Sequence, residues 1–189
     1  MVNFVNITRV DIASSYIPEE LCHVIKSKTI EYYAFPRECS LWDYTKEDPE
    51  FNIVRDEFIR TAKSLWERNS NLEISIGMRH AWLNDYSVGG GWNIAPHIHH
   101  DAIMNGTLYL EADDDAGDIL IQDPLAHVGW INRLDKRCNG TGRVSIPITP
   151  KVGMIIVMPA FLVHSTELPY NNKRRCALSM DFYNETKVG

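Results

Sequence analysis

Three histidines and an aspartate fall within five consecutive positions, His97, His99, His100 and Asp101. In an extended segment side chains alternate between faces. His97, His99 and Asp101 then point one way, and Ile98 and His100 the other. Two imidazoles and a carboxylate on one face form a ligand set for a divalent transition metal such as iron, zinc, copper or nickel. A site of this kind needs a further ligand from a distant strand, and His164 is the candidate. It follows the apolar run Met154 to Met158 and a strand-ending Pro159, so it sits where a side chain can turn into a barrel mouth.

Eleven residues later comes Arg175, at the head of a strand-like run. Alternation places Arg175, Ala177, Ser179 and Asp181 on one face, and Arg174, Cys176, Leu178, Met180 and Phe182 on the other. The second set is the more apolar. The first, small and polar with an arginine at its head, suits the interior of a barrel that holds a ligand. A guanidinium is well shaped for a bidentate grip on a carboxylate.

The elements that must position these residues change character along the chain. Residues 1–12 read as a short strand. Pro18-Glu19-Glu20 opens a helix, because proline and acids suit a first turn, and Leu21, Val24, Ile25 and Ile30 give it an apolar stripe. Residues 31–50 read as irregular. Asp48-Pro49-Glu50 then starts a second helix, with Phe51, Val54, Phe58, Ala62, Leu65 and Trp66 at three- and four-residue steps. Its end is expected near residues 69–71.

From residue 72 onward, seven short strand-like runs are punctuated by Gly, Asn, Asp and Pro. They are 72–86, 91–100, 105–112, 117–124, 142–150, 153–161 and 174–183. With no helical pattern between them, they predict a sandwich, jelly roll or small barrel. Gly89-Gly90-Gly91 is a turn ahead of the histidine cluster, and residues 113–117 form an acidic hairpin turn. Residues 125–142, with His127 and Trp130, make the longest irregular connection, a length typical of functional loops. We therefore expect a mainly β single domain over 1–189, with a helical support region (1–70) packed on a β core (71–185).

The 189 residues are 44% hydrophobic, enough for one sizeable core. The net charge of -6 argues against a general nucleic-acid binder. No apolar run approaches the roughly 18 residues of a membrane helix, and the first fifteen residues lack the basic and apolar regions of a signal peptide. Four dispersed cysteines, Cys22, Cys39, Cys138 and Cys176, read as reduced thiols of a cytoplasmic protein.

Taken together, the layout resembles the 2-oxoglutarate- and Fe(II)-dependent oxygenases, whose core is a double-stranded β-helix, a jelly roll of cupin-like form. More narrowly it resembles a small branch found in marine bacteria and tailed phages. The residues that carry the likeness are Ser40-Leu41-Trp42, Trp82-Leu83-Asn84, His97-Ile98-His99 with Asn105-Gly106 and Tyr109, the hairpin Gly117 to Pro124, and then Gly153, Pro159, His164, Arg175 and Ser179. It runs from about residue 38 to 183. Two positions depart from the branch's pattern: His100 stands where proline is usual, and Ala177 where serine often adds a hydrogen bond to the co-substrate.

The resemblance implies Fe(II), 2-oxoglutarate and O2, with oxidative decarboxylation coupled to hydroxylation of a C–H bond. It implies that Arg175 grips the far carboxylate of 2-oxoglutarate, with Tyr109 as a second donor. Trp82, Asn84 and Trp92 are candidates for the substrate mouth, and residues 125–142 for a lid. The ligand register stays open. The wider superfamily's H-x-D string is present as His99-His100-Asp101, whereas the narrower branch suggests His97 and His99. The sets are therefore His97, His99 and His164, or His99, Asp101 and His164. Three other readings remain: a cupin-like metalloenzyme that does not use 2-oxoglutarate, a non-catalytic jelly-roll binding module, and a zinc hydrolase. The cupin glutamate is absent, with Ile103 in its place, and no general-base glutamate stands beside the ligands. The primary substrate is not readable from the sequence, since fold does not fix substrate. A homodimer is left open.

Overall fold

The computed structural model describes residues 10–32, 41, 45, 47–85, 93–124, 145–168 and 173–187. Its helices are α1 (Glu19–Tyr32) and α2 (Pro49–Asn69), with a 3-10 turn at Glu185–Lys187. Its strands are β1 (Ala13–Tyr16), β2 (Ile76–Asp85), β3 (Met104–Ala112), β4 (Ile119–Gln122), β5 (Ser145–Ile148), β6 (Met154–Pro159), β7 (His164–Thr166) and β8 (Arg175–Asn184).

Two antiparallel sheets result. The larger has the order β1-β6-β3-β8-β2 and the smaller β5-β4-β7. Period-two alternation gives the larger sheet two buried faces. Leu108, Leu110, Ile155, Val157, Cys176, Leu178, Met180 and Phe182 form one core with α1 and α2. Tyr109, Ile156, Met158 and Ala177 form the other with Ile119 and Ile121 of the smaller sheet. The apolar set on β8 is therefore the helix-covered face, and the small polar set faces the space between the sheets.

The second helix forms as its sequence predicts. Asp48 caps it, accepting from the backbone N–H of Glu50 and Phe51 with Pro49 in the first turn. The buried stripe is Phe51, Val54, Phe58, Thr61, Ala62 and Leu65, and Trp66 packs at its margin. In α1 the stripe is rotated from expectation. Cys22, Ile25 and Thr29 are buried and Val24 is exposed, because α1 faces β3 and α2 together. Thr29 sits in the apolar face by donating its hydroxyl to Ile25 O, 2.6 Å away.

Three strand expectations are corrected. Residues 10–12 are not strand; pairing with β6 starts at Ala13 and runs to Tyr16. Regular structure in the 72–86 run begins only at Ile76. In the 91–100 run the described residues, 93–100, form no strand and make one isolated bridge, His97 to His164. Pro96 lacks the N–H a ladder needs. The segment still lies along β7: Thr166 N–H donates to Ile94 O at 3.1 Å, and Ile94 N–H to Thr166 Oγ1 at 2.9 Å. It thus extends the smaller sheet beyond β7.

The acidic turn forms at residues 113–117, with Asp115 at φ 63° and Gly117 at φ 83°. Cys22 and Cys176 are free and buried. Among the described residues no helix is long and apolar enough to cross a membrane. Cys39, Cys138, the glycine turn 89–91, Trp92 and the proposed lid 125–142 lie outside the described residues.

Candidate metal centre and active site

His97 and His164 are brought together by their backbones. His97 N–H donates to His164 O at 3.0 Å, and His164 N–H to His97 O at 3.1 Å. This reciprocal pair sets the two rings side by side, centroids 4.3 Å apart. His164 opens β7 rather than closing the strand before it. His99 is held by its own N–H, which donates to Ala160 O at 3.0 Å in the turn between β6 and β7. Its ring lies 5.1 Å from that of His97 and 5.2 Å from that of His164.

One potential ligand atom from each of the three histidines lies within 4.8 Å of the others. The tautomers follow from their partners. His97 Nδ1 is 2.9 Å from Ala95 O, and His164 Nδ1 is 3.0 Å from Leu162 O. A carbonyl only accepts, so Nδ1 carries the proton in both rings and Nε2 is left with a lone pair. His99 Nε2 is fully buried and has no hydrogen-bond partner among the described residues. A buried polar atom left so costs about 1–3 kcal/mol, unless something binds it. Burial also pushes the His164 pKa from 6.5 down to about 4, aided by its histidine neighbours. The ring is therefore neutral at physiological pH, the form a metal requires. These observations fit a divalent transition metal on three imidazoles.

Asp101 is exposed, on the turn at residues 100–101, and does not join the cluster. Alternation holds from His97 to His99 and then fails, because the chain turns to enter β3 in the other sheet. His100 is exposed on the same turn.

The three histidines open onto a narrow cleft between the sheets. Its floor is Trp82 and Asn84 of β2, Asn105, Thr107 and Tyr109 of β3, and Ala177 and Ser179 of β8. The register explains the assembly: Thr107 pairs with Ser179, which pairs with Trp82, and Tyr109 pairs with Ala177, which pairs with Asn84. Asn84 Nδ2 donates to Ser179 Oγ at 3.1 Å, and Thr107 Oγ1 lies 3.4 Å from that hydroxyl. Trp82 stacks on His99 with ring centroids 5.8 Å apart. Trp92 falls outside the described residues.

Arg175 is 1% exposed. Its NH1 donates to Gly117 O and its NH2 to Glu167 O, both at 2.8 Å. It stands on the inward face of β8, beyond Ala177 from the histidines, and does not itself line the cleft.

Two residues the sequence reading did not assign belong here. Asp181 Oδ1 lies 2.8 Å from His99 Nδ1, and Asn105 Oδ1 is buried in the cleft wall with no hydrogen-bond partner among the described residues. The signal for Asp181 was its parity with Arg175, an acid on an inward-facing strand position. Asn105 opens the strand-like run 105–112 and is among the residues that carry the resemblance, but no feature of the sequence assigns it a role in the site.

No curated protein matches the chain in sequence. Solved structures share its fold. A prolyl-4-hydroxylase from Pseudomonas putida aligns at TM-score 0.61 and 12% identity, over 93% of this chain and 89% of that one. Iron-bound HygX from Streptomyces hygroscopicus aligns at TM-score 0.58 and 8% identity, over 92% and 81%. A 2OG-Fe(II) oxygenase family oxidoreductase from Burkholderia pseudomallei aligns at TM-score 0.50 and 14% identity; this chain spans 60% of its length, and 72% of this chain is covered. A family model described as "Putative 2OG-Fe(II) oxygenase" matches residues 80–181, which contain every residue of the cleft and all three histidines. That match covers more than half of the sequence, and the chain belongs to the 2OG-Fe(II) oxygenase family, enzymes that use Fe(II) and 2-oxoglutarate.

Proposed function

We propose that this enzyme holds Fe(II) on His97, His99 and His164, and couples oxidative decarboxylation of 2-oxoglutarate to hydroxylation of a C–H bond in a second substrate. The observation that carries the ligand set is the convergence of three imidazole nitrogens within 4.8 Å of one another. It favours His97 over Asp101 as the third ligand. Iron, when bound, supplies the dioxygen chemistry; the protein positions, dries and shields the site.

The chain's own residues divide that work. Ala95 O and Leu162 O fix the His97 and His164 rings through Nδ1, so both are oriented before any metal arrives. The far carboxylate of 2-oxoglutarate is assigned to Arg175, with Tyr109 as a second donor. Gly117 O and Glu167 O hold the guanidinium in place, which lowers the ordering cost of a bidentate grip. Ala177 offers no hydroxyl there, and the nearby hydroxyls of Thr107 and Ser179 supply the neutral hydrogen bonds of the cleft floor. Trp82 and Asn84 form the described part of the substrate mouth. The helices share a core with the larger sheet, which supports reading residues 1–70 as a support layer of a single domain with the 71–185 core.

Anaerobic titration of the purified protein with Fe(II) and then 2-oxoglutarate tests the proposal. A visible charge-transfer band is expected, absent in His164→Ala and requiring more 2-oxoglutarate in Arg175→Ala. An iron-loaded protein that shows no band would overturn the co-substrate assignment and leave a cupin-like metalloenzyme as the reading.

A further inference from the structure

We propose that Asp181 is the positioning residue of the metal centre, a carboxylate that orients His99 and supplies the negative charge a three-histidine site lacks. The inference rests on the assignment of His97, His99 and His164 as metal ligands.

The three rings are held in two different ways. His97 and His164 are each fixed by a backbone carbonyl within two residues, Ala95 O and Leu162 O. Those contacts come with the local chain. The described partner of His99 Nδ1 is of another kind: the carboxylate of Asp181, 2.8 Å away and 82 residues along the sequence. Asp181 sits on β8 in the larger sheet, paired with Asn105 of β3 on one side and His80 of β2 on the other. His99 belongs to the loop before β3. Their meeting is thus produced by the register of the larger sheet and not by local geometry.

Electrostatics gives the contact a purpose. Three neutral imidazoles leave the full charge of a divalent metal uncompensated, whereas a two-histidine-one-carboxylate set offsets part of it. A carboxylate on the far nitrogen of one imidazole shares charge through the ring and makes that ligand more basic. Once aligned as a hydrogen bond, it would also fix the tautomer, with the proton on Nδ1 and the lone pair on Nε2.

The state of the atoms agrees. Asp181 Oδ1 is buried, and although it lies within ion-pair distance of His99 Nδ1 it is not aligned with it as a hydrogen bond. Among the described residues, His99 Nε2 is buried without a partner, as is Oδ1 of Asn105, the residue paired with Asp181 across the sheet. A buried nitrogen on one side of the His99 ring and a buried carboxylate oxygen on the other thus both lack a hydrogen bond among the described residues. Trp82 stacks on the same ring, with centroids 5.8 Å apart.

The test compares wild type, Asp181→Asn and Asp181→Ala, each prepared free of metal. Two quantities are read: the melting temperature of the metal-free protein, and the dissociation constant for Co(II) by anaerobic calorimetry. Outer-shell partners of metal-bound histidines typically contribute 10- to 100-fold in affinity. We expect Co(II) affinity to fall by about that factor in Asp181→Ala, and by less in Asp181→Asn, whose amide oxygen is able to accept from Nδ1 but carries no charge. The metal-free melting temperatures should stay close to wild type. Co(II) binding at wild-type affinity in either folded variant would overturn the role of Asp181 while leaving the ligand assignment intact. A wild-type protein that binds no Co(II) would overturn both. Should Asp181→Ala fail to fold, Asp181→Asn, nearly isosteric, decides. An equal loss of metal-free stability and affinity in that variant would mark Asp181 as structural and overturn the proposal.

Discussion

His164 combines burial with chemistry that depends on staying uncharged. Its pKa is lowered from 6.5 to about 4, chiefly by burial and further by His97 and His99. In the unfolded chain the ring takes up a proton near pH 6.5; in the folded chain it resists until about pH 4. Between those values the unfolded state binds more protons, so stability rises with pH and falls as the solution is acidified. The neutral ring's contribution is full above pH 6.5 and is lost as pH drops to about 4. The loss is at most about 3 kcal/mol at 1.36 kcal/mol per pKa unit. Metal-free protein melted at steps from pH 7 to pH 4 should therefore lose melting temperature steadily. His164→Asn, which has no ring to titrate, should show a shallower slope. Parallel slopes would count against burial of a neutral imidazole at this position.

The same scale shows where sequence alone stopped. The H-x-H string, the distal histidine and the inward parity of Arg175 and Ser179 were legible because each is a local pattern. The choice between His97 and Asp101 was not, because it depends on where an irregular segment turns, and that turn is set by the step from the smaller sheet into β3. The contact from Asp181 to His99 was not legible either. It needs the register between β3 and β8, and no short-range signal specifies that pairing.

At the scale of elements, the packing of the helices depends on how closely α2 lies against β3. Gly106 is the point of approach: a Cβ there would stand 2.7 Å from the Phe58 ring and 3.1 Å from Phe182. Phe58 and Phe182 are both fully buried, ring centroids 6.0 Å apart. Neither ring can yield without disturbing the core. Gly106→Ala should therefore destabilise the protein through overpacking, by about 1–3 kcal/mol, read as a lower urea midpoint at unchanged m-value. Removing the cap of α2 with Asp48→Ala should cost about 0.5–2 kcal/mol, and it also deprives Lys28 of a partner at 2.7 Å. The two helices were legible from periodicity and capping residues. The rotation of the α1 stripe onto Cys22, Ile25 and Thr29 was not, because two surfaces compete for one short helix. Gly106 falls in the strand-like run 105–112 that the sequence predicts; what the sequence does not show is that its missing side chain admits a helix.

For the whole molecule, the proposed metal centre joins segments that otherwise have separate reasons to be where they are. His97 and His164 belong to the smaller sheet and its extension, His99 to the loop leaving it, and the carboxylate beside His99 to the larger sheet. A bound metal therefore stabilises the arrangement of both sheets, by RT ln(1 + [M]/Kd), or about 4.1 kcal/mol at a thousandfold excess over Kd. For a chain of this length that is a rise of roughly 8–16 °C in melting temperature. The shift should grow with the logarithm of metal concentration and vanish in His164→Ala. Gly106→Ala provides the contrast. Its lesion lies on the helix-covered face, away from the histidines, and distant sites add. It should lower the melting temperature of metal-free and metal-loaded protein alike, leaving the difference between them as in wild type. A Gly106→Ala protein that melts lower and also loses the metal-dependent rise would mean that α2 holds the histidines in place, and that the helices and the site fold as one unit.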